Sequence, residues 1–316
     1  MAWLKGPKSD GVIQINHPVK FNKAVQSSSF EPWANVWYVD GDNGNDSHDG
    51  RGPSEAKASV QAAVNAASMG DIIYVRPKAP GGSTDGDVSD VGFYTNTGIT
   101  IPFAKSQLSI IGVVNSGNSM YGPFLWPSTG AAIDVYAAAF HAENLTAHAE
   151  DVTYSAYLRG VSGYTTAGGA CGSTIYNCTL GYGTILVTGG GDVVLDSCRF
   201  RNNFVHFDAS LTPARRHMVR NCWFGANNGA ALATAYFVIQ GTQSEFLMTG
   251  CHFDQPTTAD EYINSSGVVD GLISNCYFAD DDITWGTSAA AQIRIASGTL
   301  TVSGCYDNSG SIIGPT

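Results

Sequence analysis

Short apolar motifs recur along the second half of the chain. Each contains an apolar residue, two small or polar residues, a cysteine, one variable residue and a phenylalanine, as in VVLDSCRF, HMVRNCWF, EFLMTGCHF and GLISNCYF and, more loosely, in STIYNCTL and LTVSGCY. Successive motif cysteines are separated by 20, 24, 29, 25 and 29 residues. Repeats of this length predict an array in which each copy is one unit stacked on its neighbours.

When the copies are aligned on the cysteine, each column of the alignment contains residues of one chemical type. Two earlier copies fit with Val113 and Leu145 at the cysteine position, which makes eight coils. The residue two positions after the cysteine, apolar in the six middle coils, shares its face because strand side chains alternate. The third residue before the cysteine position is apolar in every copy: Ile110, Ala142, Ile175, Leu195, Val219, Met248, Ile273 and Val302.

The chain must bend just before the cysteine, because that apolar position also points inward although it lies at an odd spacing. The residue at the bend is Asn or Gly in seven of the eight copies, and these residues tolerate a positive φ. Another strand precedes most copies, as in TILVTG, FVHFDA, YFVIQG, YINSSG and QIRIASG. Three short strands per coil predict an all-β parallel solenoid.

Composition limits the possible binding partners and indicates the role of the cysteines. Six of the seven cysteines occupy one column, which favours buried thiols over a disulfide framework. The net charge of −11 argues against nucleic acid. The chain has no apolar run long enough for a membrane span, and its first residues lack the pattern of a signal peptide.

Residues 54–68, ahead of most of the repeats, are predicted to form a capping helix. Ser54 would cap it, Gly70 would end it, and Ala56, Val60, Val64 and Ala67 form an apolar stripe. The strand DIIYV follows. With the coils, this arrangement resembles the pectate-lyase-like superfamily, which implies a right-handed parallel β-helix. That superfamily includes polysaccharide lyases, glycoside hydrolases, adhesins and phage tailspikes, so the resemblance is specific for the fold and not for the activity.

Two domains are expected: an N-terminal arm at residues 1–35, which has no repeat and serves attachment or oligomer contact, and a β-helix domain at residues 36–316. No obvious element covers the last coil. Either it frays, or a homotrimer or another partner subunit covers it.

The loop DGDNGNDSHDG offers oxygen ligands at alternating positions with glycines between them, a pattern that suits Ca²⁺. The alternative is a turn whose side chains bond their own backbone. The candidate ligands are Asp40, Asp42, Asn45, Asp46 and Asp49.

The column one place after the cysteine is expected to face outward. Tyrosine, tryptophan and arginine in such a column suit either sugar stacking or a subunit interface. Its residues are Arg199, Trp223, His252, Tyr277 and Tyr306.

A second outward polar patch is predicted on the upstream strands. It contains His206, Asp208 and Arg294, together with Gln240 and Asn264. The resemblance to lyases makes the first three of these candidate catalytic residues, although no cluster of acidic ligands accompanies Arg294. The sequence leaves catalysis itself open.

The leading hypothesis is a phage virion structural protein of the tailspike, fibre or capsid-decoration kind. It would be a homotrimer assembled in the host cytoplasm, docked to other virion proteins through residues 1–35, with a surface polysaccharide as a further ligand. The alternatives are a secreted polysaccharide lyase or glycoside hydrolase, which would be extracellular, and an adhesin-like binding module.

Overall fold

The computed structural model describes residues 34–79, 92–94, 98–113, 122–127, 129–149, 154–159, 169–188, 191–201, 205–214, 216–225, 235–254, 261–281, 283–287 and 291–313. All of them belong to the second of two units, Trp33–Thr316. The predicted arm at residues 1–35 therefore lies outside the described residues except for Ala34 and Asn35. No helix in the described ranges is long and apolar enough to cross a membrane.

The described chain is almost entirely β, and its strands stack in parallel as three rows. The first row holds the strands that end at the predicted corner. Its members are β1 (Val36–Asp40), β2 (Ile72–Arg76), β5 (Ser109–Gly112), β8 (His141–Glu143), β11 (Thr174–Tyr176), β14 (Val193–Asp196), β17 (His217–Arg220), the ends of β19 (Ala235–Thr249) and β21 (Glu261–Ser274), and β25 (Leu300–Ser303).

The second row follows the corner and forms a separate sheet. Its strands are β3 (Phe93–Tyr94), β6 (Phe124–Leu125), β9 (Thr146–His148), β12 (Thr179–Gly181), β15 (Arg199–Arg201), β18 (Trp223–Gly225), β20 (His252–Phe253), β22 (Tyr277–Phe278), β26 (Cys305–Asp307) and β27 (Ile312–Ile313).

The third row contains the predicted upstream strands and joins the first row through the long strands β19 and β21. It holds β4 (Ile99–Ile101), β7 (Ile133–Val135), β10 (Tyr154–Leu158), β13 (Thr184–Val187), β16 (Val205–Ala214), the starts of β19 and β21, β24 (Ile293–Ser297), and β23 (Trp285–Gly286), which pairs with β24.

The predicted inward columns are confirmed by strand register and burial. All eight residues three places before the cysteine position pair directly with one another from Ile110 to Val302 and are buried. The six column cysteines are free and buried, and burial raises the pKa of Cys178, Cys198, Cys222 and Cys251. Buried thiols of this kind are chemically inert.

Phenylalanines two places after the cysteine form a continuous ring stack in the core. Phe224 lies 4.7 Å from Phe200 and 4.5 Å from Phe253, and Phe253 lies 4.8 Å from Phe278, measured between ring centroids. Rings at the strand spacing of about 4.8 Å stack offset without disturbing the backbone.

The corner column is also confirmed in seven coils. Asn144, Asn177, Ser197, Asn221 and Asn275 have φ between 48° and 56°, and Gly250 and Gly304 have φ of 64° and 63°. Ser197 adopts the same left-handed conformation although its residue type did not predict it. The geometry of the coil therefore sets this φ, and the residue type only makes it easier to hold.

The first coil departs from the alignment. Val113, placed at the buried cysteine position, is 46% exposed, so that prediction is wrong. The alignment puts Asn115, two positions after Val113, at the next inward position of this coil. In the structure the second-row strand of the coil is β6, where Leu125 pairs with Ala147 and takes that position. Asn115 itself lies outside the described residues. A longer connection moved the inward strand ten residues further along the chain.

The capping helix is shorter and starts later than predicted. A 3-10 turn covers Pro53–Glu55, and the α-helix α1 covers Val60–Ala66. Ser59, not Ser54, caps α1, since its hydroxyl accepts a hydrogen bond from the backbone N–H of Ala62. The helix ends well before Gly70. The predicted apolar stripe is nevertheless buried, and Val60, Val64 and Ala67 belong to the hydrophobic core.

In the described residues, a short strand covers the second-row edge of the last coil. β27 runs antiparallel to β26, with Cys305 opposite Ile313 and Tyr306 opposite Ile312. Ile313 is buried, whereas Ile312 faces outward. A short antiparallel strand of this kind occupies the hydrogen-bonding edge that the parallel stack would otherwise expose.

Candidate functional site

The outward side of the second row carries the predicted column of aromatic and charged residues. Register places Thr146, Thr179, Arg199, Trp223, His252, Tyr277 and Tyr306 on consecutive strands in this order. Neighbouring members are therefore one strand spacing apart, about 4.8 Å. We call this set, with the residues two places further along each strand, the outward ladder.

Aromatic side chains close the first part of the outward ladder. Thr146 and Thr179 are buried. The His148 ring lies over Gly181, where an added Cβ would come within 2.7 Å of it. Its centroid is 4.5 Å from that of Phe124 and 4.9 Å from that of Tyr182. Burial, aided by the charge of Arg201, lowers the pKa of His148 to about 4, so its imidazole is neutral at pH 7.

Two arginines mark the point where the ladder opens. Arg199 and Arg201 extend from the same side of β15, because Phe200 between them points into the core. Arg199 is exposed and Arg201 is half-buried. Both arginines therefore lie on the strand directly beside that of Trp223.

Trp223 forms a flat platform at the centre of the ladder. An added Cβ at Gly225 would come within 2.1 to 2.5 Å of three atoms of the indole ring, which shows that the ring lies directly over this glycine. Any side chain at position 225 would lift the indole off the sheet. The platform therefore depends on both residues.

Beyond Trp223 the ladder continues with side chains that combine a ring and a polar atom. His252 Nε2 is 2.9 Å from Asp254 Oδ1, and the His252 and Tyr277 rings are 4.8 Å apart. Tyr277 donates a hydrogen bond to Asn308 Oδ1, and Asn308 in turn donates to Asp281 Oδ1. Tyr306 is 47% exposed. These groups are held in place while their faces remain accessible.

This arrangement suits a ligand that has both apolar ring faces and hydroxyl groups. Flat aromatic faces pack against the C–H faces of a sugar, and the adjacent charged and amide groups bond its hydroxyls. Sequence reasoning found the first column but missed Gly225, Arg201 and His148. The signal was available two residues further along each strand, on the same face.

The third-row candidates point outward but do not converge. His206 and Arg294 share one outward column, with Val238 and Asn264 on the two strands between them, a separation of about 14 Å. Asp208 lies beside Gln240 in the next column. Arg294 pairs with Glu261 at 3.8 Å, and Glu261 also accepts a hydrogen bond from Asn264. The structure thus does not bring the three together as one reacting group.

The predicted calcium loop uses its oxygens to bond protein groups. Asp40 accepts hydrogen bonds from the backbone of Asp42 and Asn43 and from Arg76 at 2.6 Å. Burial raises the pKa of Asp40, but the hydrogen bonds from Arg76 and Asn43 outweigh burial and leave this pKa below its usual value.

The other loop candidates bond backbone groups in the same manner. Asp42 accepts from Ala79, Asn45 from Ser47, Asp46 from Ala58 and Ser59, and Asp49 from Arg51. The buried ammonium of Lys57 donates to the carbonyls of Asp46 and His48, which puts a fixed positive charge inside the loop. In the described ranges, no group of three or more His, Cys, Asp or Glu is placed to hold a metal ion. A Ca²⁺ site here stays a prediction.

A groove of a different character lies on the outward side of the first row. Val194, Met218, Leu247 and Leu272 occupy one outward column on β14, β17, β19 and β21. They line a groove of about 340 Å³, with the Arg216–Glu245 ion pair at its rim. Its lining is apolar, and it offers few groups for a hydroxyl-rich ligand.

No protein-family model matches this chain, and no curated protein is similar to it in sequence. Among solved structures, the chain is similar to one titled rhamnogalacturonan lyase, at 13% identity and a TM-score of 0.52, over 88% of this chain and 75% of the other. It is also similar to ORF18 of Geobacillus virus E2, at 12% identity and a TM-score of 0.46, over 86% of this chain and 61% of the other.

A third similar structure is a GH136 lacto-N-biosidase from Eubacterium ramulus, at 10% identity and a TM-score of 0.34, over 86% of this chain and 67% of the other. Of the three, the first alone has a TM-score above 0.5. At 13% identity it shows a shared, β-helix-like fold and nothing about activity.

Proposed function

We propose that this protein is a glycan-binding right-handed parallel β-helix that serves as a structural appendage of a phage virion. The handedness follows the strong preference for right-handed crossovers between parallel strands. The observation that carries glycan binding is the Trp223 indole, which lies flat over Gly225 in the open part of the outward ladder. A flat indole, half-buried on the sheet side and bordered by arginine, histidine and tyrosine, is a surface on which sugar rings stack.

The virion assignment rests on the combination of that surface with the cysteines. All seven are free in the structure, and unpaired thiols are typical of chains that fold in a reducing cytoplasm. A protein that folds in the cytoplasm and binds a glycan on a cell surface needs a way out of the cell. Release of an assembled phage particle provides one.

Binding to an array of bacterial surface polysaccharides tests the glycan proposal. We expect Trp223→Ala to weaken binding at least tenfold, about 1.4 kcal/mol or more, because a central aromatic anchor is removed. Gly225→Val should weaken binding as well, since it lifts the indole without removing it. Trp285→Ala is the matched control, because Trp285 is also exposed but lies in the third row. Equal losses for Trp223→Ala and Trp285→Ala would contradict the proposal.

Two further measurements separate the proposed appendage from its alternatives. Light scattering on the full chain should give the mass of a homotrimer, and a stable monomer would argue against that assembly. Release of unsaturated oligosaccharides from a polyuronate panel, followed by the ultraviolet absorbance of the new double bond, would favour a lyase instead.

A further inference from the structure

The arginine strand β15 divides the outward ladder into two parts. Arg199 and Arg201 face the same side at alternate positions, so their Cα atoms are about 7 Å apart. The chain as a whole carries a net charge of −11. Two arginines on one face of a short strand are therefore a local concentration of basic residues in an acidic protein.

On one side of β15 the ladder is closed. Gly181 pairs with Arg201, and the His148 ring covers Gly181. The backbone N–H of Tyr182 donates a hydrogen bond to the carbonyl of Arg201 at 3.0 Å, and the Tyr182 ring lies 4.9 Å from that of His148. Thr146 and Thr179 are also buried, so the ladder offers a sugar chain little accessible surface on this side of β15.

On the other side of β15 the ladder is open. Arg199 lies opposite Trp223 and Arg201 opposite Gly225, so both arginines stand on the strand beside the indole platform. From there, His252, Tyr277 and Tyr306 follow on successive strands. The open part spans four strand steps, about 19 Å.

The proposal that follows rests on the proposed glycan-binding function. We propose that the outward ladder binds its glycan by one end, and that this terminal sugar carries a carboxylate, as a uronate or a sialate does. The terminal ring stacks on Trp223, its carboxylate pairs with Arg199 and Arg201, and the next sugars run toward Tyr306. Planar guanidinium groups match a carboxylate with two parallel hydrogen bonds, which a lysine does not reproduce.

Calorimetry of the full chain with matched oligosaccharide pairs tests this assignment. Each pair has a terminal uronate or sialate in one member and the same sugar with its carboxyl reduced to an alcohol in the other. We expect at least tenfold tighter binding of the acidic member, and a preference that falls as salt is raised because charge pairing is screened.

Variants test whether the two arginines cause the preference for the acidic member of each pair. The Arg199→Met, Arg201→Met double variant should bind both members of a pair equally, at the affinity that the unaltered protein has for the neutral member. The Arg199→Lys, Arg201→Lys variant should recover only part of the preference. Arg216→Met is the matched control, because Arg216 is exposed on the first row, and it should leave the preference unchanged.

The outcomes separate this proposal from the function on which it rests. If the protein binds neutral and acidic members equally, and Trp223→Ala weakens both, the carboxylate assignment is wrong and glycan binding stands. Tighter binding of a sulfated or phosphorylated terminus than of the carboxylate would also overturn the assignment. Absence of binding to every pair and to the polysaccharide array would overturn both proposals.

Discussion

The two sides of the second row are made from alternate residues of the same short strands, yet they have different chemistry. Inward, Phe200, Phe224, Phe253 and Phe278 stack on one another and are fully buried. Outward, the neighbouring Arg199, Trp223, His252 and Tyr277 differ from strand to strand and remain partly exposed. Uniform residues keep the coils in register, whereas varied residues at the same spacing can recognise a ligand. Stability and binding should therefore be separable within a single strand.

The largest expected effect on stability comes from a substitution on the inward side. Phe224→Ala removes a ring that is stacked on both faces, and we expect a loss of about 3 to 5 kcal/mol in the free energy of unfolding. Trp223→Ala, one residue away and outward, should cost less, about 1 to 2 kcal/mol, because only one face of the indole is buried against the sheet. Denaturant unfolding of both variants measures the difference. Equal losses would show that the outward ladder is part of the core.

Acid should destabilise the fold through a histidine that the core holds neutral. Burial lowers the pKa of His217 to about 4, and its ring centroid is 4.6 Å from that of Phe207. The unfolded chain, with a histidine pKa near 6.5, binds the proton more readily than the folded chain. Stability is therefore full above about pH 6.5 and is lost as the pH falls toward 4, by roughly 3 kcal/mol for this group.

Unfolding free energies measured from pH 7 to pH 4 test this linkage. His217→Phe should flatten the dependence, since it removes the titrating group and keeps an aromatic ring. His148, whose pKa burial also lowers to about 4, should keep part of the slope. His252→Asn is the matched control, because His252 is partly exposed on the outward ladder. An unchanged slope in His217→Phe would contradict the assignment.

The smallest expected effect concerns the corner that joins the two rows. Asn275 has a φ of 52°, and an alanine held in this left-handed region costs about 1 kcal/mol. We expect Asn275→Ala to lower the free energy of unfolding by that amount and Asn275→Gly to lower it less, as measured by denaturant unfolding. Equal losses for the two variants would mean that the Asn side chain, and not the backbone conformation, stabilises the corner.

Features that repeat locally could be predicted from the sequence, and features that depend on one connection could not. The inward column from Ile110 to Val302 is predicted from eight copies of the same strand pattern. Misalignment of one copy therefore does not change the prediction for the others. The prediction that Val113 is buried was wrong because the length of a single connection decides which residue enters the row. The prediction that Ser54 caps the helix was also wrong. The periodic pattern predicts one helix over a stretch that contains two separate segments, Pro53–Glu55 and Val60–Ala66.

The candidate site was predictable in part. The column of Arg199, Trp223, His252, Tyr277 and Tyr306 is visible in the repeat alignment, because it stands beside the cysteine. The platform is not, because nothing in the spacing shows that the indole of Trp223 folds over Gly225. The third-row candidates His206 and Arg294 were placed on the correct side, but their separation of about 14 Å follows from strand order, which the local pattern does not contain.

For seven of the eight coils the sequence alone determined which residues point inward, where the coil bends and which thiols are buried, because these follow from the two-residue period of a strand and from backbone sterics. Tertiary structure decided which outward residues became neighbours and which of them stayed open. Connections of different length bring residues 20 to 30 positions apart to one strand spacing. His148 closes one part of the ladder and Trp223 lies flat in the other because the glycines beside them leave room for a ring.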